Sequence, residues 1–160
     1  MKTAYVYVSS LGNLLIAEDC QGITDIQLLR EVDREALSAE FNLVETKRLK
    51  EAAAQLSEYL EGNRKEFTLD LHPQGTPFQQ KVWEALRRIP YGETRSYKQI
   101  AEEIGNGKAS RAVGSANHHN PILCVIPCHR VIGADGGLVG YAGGLDIKKQ
   151  LLQLEHGKDE

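Results

Sequence analysis

Between residues 72 and 79 the chain changes character. His72-Pro73-Gln74-Gly75 collects turn and breaker residues, and Thr76-Pro77-Phe78-Gln79 then opens a helix. Thr76 stands at the N-cap, Pro77 at the first helical position and Gln79 at the third, the arrangement of a capping box with a preorganised φ at its start. Neither a strand nor a helix crosses such a junction. It divides the 160 residues into an N-terminal domain, 1–72, and a C-terminal domain, 73–160.

The first part reads as α+β. Tyr5-Val6-Tyr7-Val8 is β-rich, and Leu14–Ala17 and Ile23–Leu28 flank the turn-like Asp19-Cys20-Gln21-Gly22, which suggests a hairpin or meander. Residues 33–40 fit a loop or a short helix. From Lys47 to Leu60, Leu49, Ala52, Ala53, Leu56 and Leu60 share a helical face, and Gly62-Asn63 is a stop. The alternation in Phe67-Thr68-Leu69-Asp70-Leu71 predicts a last strand.

The second part reads as helical. Phe78, Val82, Ala85, Leu86 and Ile89 form one apolar face, ended by Pro90-Tyr91-Gly92. A second capping box, Ser96 to Gln99, opens a helix with Ile100, Ala101 and Ile104 on its apolar side, closed by Gly105-Asn106-Gly107. A third helix is predicted from about Ala109 to Asn117, with Ala112, Val113 and Ala116 inward. Two short helices across a tight glycine turn suggest a helix-turn-helix. Asn120-Pro121 ends the third helix, and the apolar run Ile122–Ile126 leads to Cys128. Gly133–Gly137 predicts a turn, Gly140–Gly144 a glycine-rich loop, and Ile147, Leu151, Leu152 and Leu154 a final helix.

Composition excludes several classes. Hydrophobic residues make up 41% of the chain, which argues against disorder, and no apolar run approaches the ~20 residues of a membrane span. The first residues lack an apolar signal core, which suggests a cytoplasmic protein. Cys20, Cys124 and Cys128 form no disulfide framework, and the sparse Cys and His pattern predicts no metal. The net charge is −3, but it is uneven: residues 1–72 hold 8 Lys+Arg against 13 Asp+Glu, and residues 81–130 hold 8 against 4. A basic region in an acidic chain is a reason to look for a polyanion.

The chemistry concentrates in Val125-Ile126-Pro127-Cys128-His129-Arg130-Val131. A thiol beside an imidazole and a guanidinium ionises more readily, and the thiolate is the nucleophile. The competing reading is a small buried hydrophobe. Glu155 completes a Cys/His/acid set of the kind that activates thiols. On an extended strand Cys128 and His129 would point to opposite faces, so they cooperate only across a chain turn or through a water. Arg111 falls in the first turn of the third helix, and Tyr97 at the start of the second, where N–H groups favour phosphate.

Arg111-Ala112-Val113-Gly114-Ser115-Ala116-Asn117, Asn120-Pro121, Ile126-Pro127-Cys128-His129-Arg130-Val131, Tyr141-Ala142-Gly143-Gly144 and Glu155 together resemble O6-alkylguanine-DNA alkyltransferase, also called methylated-DNA–protein-cysteine methyltransferase. The similarity runs from about Phe78 to Glu155 and is diffuse before it. The resemblance implies a ribonuclease-H-like α/β domain followed by a winged-helix-like domain with a helix-turn-helix. It implies direct reversal of O6-alkylguanine, with O4-alkylthymine as a second candidate lesion, by irreversible transfer of the alkyl group to Cys128. His129 would act through a water, oriented by Glu155, and Asn120 would hold the turn that precedes the site. Tyr97 would rotate the nucleotide and donate toward N3 of the leaving base, and Arg111 would fill the gap in the stack. Ser96, Ala112 and Ser115 would contact DNA. The carbonyls of Cys128 and Val131, with Tyr141 and Ala142, would meet the base. The same resemblance implies duplex DNA bound through its minor groove, no cofactor, no membrane partner, a monomer with cooperativity on DNA left open, and a cytoplasmic, nucleoid-associated location. Two competing readings remain: a non-catalytic binder of damaged bases, against which Cys128 speaks, and a cysteine hydrolase that turns over.

Overall fold

A computed structural model describes residues 1–133 and 144–157. The chain forms two compact units, Met1–Gln74 and Gly75–Glu160. The first contains β1 (Thr3–Ser9), β2 (Gly12–Glu18), β3 (Ile23–Leu29), α1 (Arg34–Glu40), β4 (Asn42–Leu43) and α2 (Lys47–Leu60). The sheet order is β3-β2-β1-β4, antiparallel except for the β1–β4 pair. Central β2 is buried on both faces, as a strand between two layers must be. Leu15 and Ala17 pack with Ala4 and Phe41 in one cluster that also takes in Leu37 of α1. Leu14 and Ile16 project to the opposite face, where α2 lies.

Two details of this unit differ from the sequence expectation. The buried face of α2 is Leu49, Ala52, Gln55, Leu56 and Tyr59, so it is rotated away from Ala53 and Leu60 toward a polar residue and an aromatic one. The predicted strand at Phe67–Leu71 does not form. Its residues keep the alternation of exposure, but their partners are side chains of α2. Phe67 packs on the Tyr59 ring at 5.3 Å, and the Gln55 amide bonds both Thr68 N (2.9 Å) and Thr68 Oγ1 (2.9 Å). Only Leu71 bridges to the sheet, at Ile23. The ambiguous residues 33–40 resolve as α1, capped by the Asp33 carboxylate on Ala36 N.

The second unit contains α3 (Pro77–Arg87), β5 (Arg95–Ser96), α4 (Tyr97–Glu103), α5 (Ser110–His118), a 3-10 turn at Cys128–Arg130, β6 (Val131–Ile132) and α6 (Leu145–His156). Both capping boxes form, Thr76 with Gln79 and Ser96 with Gln99. Trp83 lies on the buried face of α3, and its Nε1 donates to the Ala116 carbonyl of α5 at 2.9 Å. Between α4 and α5, Gly105 adopts φ +88°, the left-handed conformation that ends a helix at little cost in glycine. The inward face of α5 is Val113, Ala116 and Asn117, whereas Ala112, expected inward, is exposed. On α6 the buried positions are Lys148, Leu151 and Glu155; Ile147, Leu152 and Leu154 are only partly covered. The turn predicted at Gly133–Gly137 falls mostly, and the Gly140–Gly144 loop almost wholly, outside the described residues. Among the described residues no helix is long and apolar enough to cross a membrane.

Candidate active site

The described side chains that hold Cys128, Asn117 and Asn120, lie in the second unit. After α5 the side chain of Asn120 closes a loop on itself: its Oδ1 accepts from Ile122 N (2.9 Å) and its Nδ2 donates to the Ile126 carbonyl (2.8 Å). The same Nδ2 lies 3.1 Å from Cys128 Sγ, as a donor to sulfur. Cys124 inside this loop has φ +69°, unusual outside glycine, and its buried thiol is pushed up by desolvation and by the neighbouring Cys128 and Glu155. Beyond Pro127 the chain does not continue as a strand. It makes the 3-10 turn, which rotates Cys128 and His129 out of the opposed arrangement that an extended backbone imposes.

His129 is wholly buried. Its Nε2 lies 2.7 Å from Glu155 Oε2. Arg130 grips the same carboxylate with two prongs, Nε to Oε1 at 2.8 Å and Nη2 to Oε2 at 2.9 Å. The third guanidinium nitrogen donates to the Ile89 carbonyl at 2.6 Å, and the guanidinium sits 5.7 Å from the Tyr91 ring centroid. A carboxylate held this way is ionised and only accepts, so the hydrogen of the His129 ring belongs on Nε2. Nδ1, also buried, then carries the basic lone pair. Burial holds the His129 pKa below the usual imidazole range, while Glu155 pulls the other way, so the ring rests neutral near pH 7. A neutral imidazole oriented by a carboxylate is a competent general base.

Two further buried groups complete the surroundings. The Asn117 side chain donates from Nδ2 to the Cys128 carbonyl at 3.3 Å and also bonds Tyr97. The Lys148 ammonium donates to the Val131 carbonyl at 2.6 Å, and burial pushes its pKa down to about 8. The Tyr97 hydroxyl is shifted up by burial and by Cys128. Its ring faces Gly114, where an added Cβ would stand 3.9 Å away. The parallel pairing of β5 with β6, Arg95 opposite Val131 and Ser96 opposite Ile132, joins the start of α4 to the segment just after Cys128.

Of the residues expected from sequence, Asn120 and, through Asn117, Tyr97 gather around Cys128, while Glu155 bonds the adjacent His129. Arg111, Ala112 and Ser115 do not join them; they are exposed on the outer face of α5. The Ser96 hydroxyl is engaged at the N-cap of α4, on Gln99 N. The Val131 carbonyl accepts from Lys148, and the Cys128 carbonyl accepts from both Asn117 Nδ2 and the Val131 N–H that closes the 3-10 turn. Tyr141 and Ala142 lie outside the described residues. Arg130, Asn117 and Lys148 were not among the expected site residues. Their signal was available as polar residues on otherwise apolar faces: Asn117 beside Val113 and Ala116, and Lys148 at i−3 from Leu151. Among the described residues no group of three or more His, Cys, Asp or Glu side chains is placed to hold a metal.

Two family models match the chain. Residues 3–73 match the ribonuclease-like domain of 6-O-methylguanine DNA methyltransferase, and residues 77–157 its DNA binding domain. The chain belongs to the 6-O-methylguanine DNA methyltransferase family. A relative from Methanosarcina acetivorans, a methylated-DNA–protein-cysteine methyltransferase, is 48% identical over 94% of this chain and 96% of its own length. The constitutive methylated-DNA–protein-cysteine methyltransferase of Bacillus subtilis is 51% identical over 91% of this chain and 90% of its own. Among solved structures, O6-methylguanine methyltransferase from Mycobacterium tuberculosis superposes with TM-score 0.87 at 43% identity, over 98% of this chain and 93% of that one. The same organism's OGT in complex with DNA superposes with TM-score 0.86 at 44% identity, over 96% and 92%. The mixed architecture agrees with the two models: the ribonuclease-like match covers the sheet with α1 and α2, and the DNA-binding match covers the helical part from α3 to α6.

Proposed function

We propose that this protein repairs O6-alkylguanine in duplex DNA by moving the alkyl group onto Cys128. The observation that carries the reading is the buried His129–Glu155–Arg130 assembly beside a thiol fixed by Asn120. His129 Nδ1 takes the thiol proton through a water. The thiolate attacks the alkyl carbon, the S–C bond forms as the C–O6 bond breaks, and the guanine anion recovers a proton with the help of the Tyr97 hydroxyl. The product is a thioether, which water does not cleave, so each molecule acts once.

Cys128 is fully buried, so the lesion has to come to it. The base therefore leaves the stack, at a cost of a few kcal/mol. Arg111, exposed in the first turn of α5, offsets part of that cost by occupying the gap. Ala112 and Ser115, exposed beside it, are small enough to let α5 approach the floor of the minor groove. The Val131 carbonyl, oriented by Lys148, and the Cys128 carbonyl recognise the amino group of the flipped base, and the family resemblance assigns Tyr141 and Ala142 to the same recognition. O4-alkylthymine is a second candidate substrate, and the working unit is one chain. Domain 1–72 is the ribonuclease-like part, and domain 73–160 carries both DNA binding and the acceptor.

The test is intact-mass measurement after incubation with duplex DNA containing O6-methylguanine. One methyl, mapped to Cys128, at one equivalent and no more, is expected. Binding without a mass change would support a non-catalytic damage binder, and more than one equivalent of repaired guanine would support a turnover enzyme. Cys128→Ala is expected to keep DNA affinity and lose transfer.

A further inference from the structure

The exposed residues of α5 make a continuous stripe: Arg111, Ala112, Ser115, His118 and, at the C-cap, His119. At about 100° per residue they fall within an arc of about 120°. The stripe is cationic at its N-terminal end, small in the middle and imidazole-bearing at its C-terminal end. About 12 Å of helix separates Arg111 from His119 at a rise of ~1.5 Å per residue. That is about twice the width of a minor groove, ~6 Å. A helix that seats Arg111 in the groove thus carries its other end out to the sugar-phosphate rim.

We propose that His118 and His119 are phosphate-binding positions whose contact with DNA is made in the protonated state. This rests on the reading that α5 enters the minor groove. The two rings touch edge to face at 5.5 Å, and both are exposed. His119 Nδ1 lies 2.7 Å from the Ser115 carbonyl, which only accepts, so the ring hydrogen sits on Nδ1 and a neutral His119 presents a bare Nε2 lone pair outward. That lone pair, at a helix terminus with partial negative charge, repels a phosphate. Protonation converts Nε2 into a charged donor without moving the ring. The charged side chains on the two helices packed against α5 are Lys81, Glu84 and Arg87 on α3 and Lys98, Glu102 and Glu103 on α4, with Arg88 at the α3 C-cap. Among the described residues none of these bonds either imidazole, and Arg88 and Glu103 pair with each other. Only the cationic imidazole donates a charged hydrogen bond to a phosphate, so affinity for DNA gains up to two phosphate contacts on acidification.

The test is fluorescence anisotropy on undamaged duplex DNA at pH 7.5 and 5.5, each across a salt series, with circular dichroism at both pH values. Wild type is compared with His118→Gln/His119→Gln and His118→Lys/His119→Lys. Each phosphate contact steepens the log–log salt slope by about 0.9 and is worth about five-fold in affinity at 0.15 M salt. Wild type is expected to gain one to two such contacts on acidification. The glutamine pair is expected to lose that gain, and the lysine pair to bind at pH 7.5 as wild type does at pH 5.5. His72, His129 and His156 are common to all three proteins, so their titration cancels in the comparison. A glutamine pair that keeps the full acid gain, or a wild type that shows none, overturns the proposal alone. Absence of DNA binding by any of the three at either pH overturns it together with the DNA-binding reading.

Discussion

At the scale of single residues, the site turns on which nitrogen of His129 holds the proton. Glu155 decides this by being an obligate acceptor, and Arg130 keeps Glu155 ionised. Glu155→Gln keeps the shape but offers an NH₂ group, which allows the proton to move to Nδ1 and removes the basic lone pair that faces away from Glu155. Transfer is expected to slow by about 10²- to 10⁴-fold, the usual worth of a positioned base. The same change leaves the Arg130 guanidinium buried without its carboxylate, at a cost of about 3 kcal/mol. Rates of [methyl-³H] transfer, measured well below the variant's melting temperature, separate the two effects; an unchanged rate would remove His129 Nδ1 from the mechanism. His129 also sets a pH limit on stability. Its folded pKa lies below that of the unfolded chain, ~6.5. The unfolded state therefore binds the proton first as the pH drops. Stability from the neutral ring is complete above about pH 6.5 and declines below it. Chemical denaturation of wild type is expected to show this decline between pH 7 and 5, and His129→Asn to show a smaller one. Cys128, His129 and Glu155 stood out in the sequence because a thiol, an imidazole and a carboxylate form a thiol-activating set, and the fold brings His129 and Glu155 into contact. Asn117, Arg130 and Lys148 stood out less, because their work is to bond a carboxylate or a main-chain carbonyl, and nothing in residue order says which carbonyl lies within reach.

At the scale of elements, the starts of helices were the best-determined features, because a cap is satisfied by residues three apart in sequence. The Thr76 and Ser96 boxes needed no tertiary knowledge. The strand expected at Phe67–Leu71 failed for the opposite reason: alternation records which side chains are covered and not what covers them, and here Tyr59 and Gln55 do so from α2. Ala112 was misplaced because alanine fits either side of a helix, and Trp83 and Asn117 claim the inward side of α3 and α5. At the head of α3, Gly75 is required by what lies above it. A Cβ there would stand 2.5 Å from Trp83 Cη2 and 2.8 Å from Gln79 Oε1, the atom that completes the capping box. Gly75→Ala is expected to destabilise the protein by about 1–3 kcal/mol, the range for overpacking. Thr76→Ala is expected to cost about 1 kcal/mol through the lost cap. Trp83 is the only tryptophan in the chain, so its emission reports both. Gly75→Ala should shift the spectrum of the folded state, while Thr76→Ala should change only the unfolding midpoint. A Gly75→Ala protein with unaltered stability and emission would show that the contact relaxes at no cost.

At the scale of the whole molecule, an acidic chain is asked to bind a polyanion. The net charge of −3 hides a balance of −5 in residues 1–72 and +2 in residues 73–160. Long-range repulsion from the acidic part is screened beyond about 8 Å at physiological salt, whereas contacts with phosphates release condensed counterions and dominate the salt dependence. Affinity for duplex DNA is therefore expected to follow the local charge of the second unit and not the net charge. Lys108 is exposed in the turn between α4 and α5, and Arg30 is exposed just after β3 in the first unit. Lys108→Gln is expected to reduce the slope of log affinity against log salt by about 0.9, one phosphate. Arg30→Gln removes the same charge from the chain and is expected to leave that slope unchanged. Because both variants carry the same net charge, an equal reduction of slope in the two would mean that overall charge governs binding, and an unchanged slope in Lys108→Gln would mean that Lys108 contacts no phosphate.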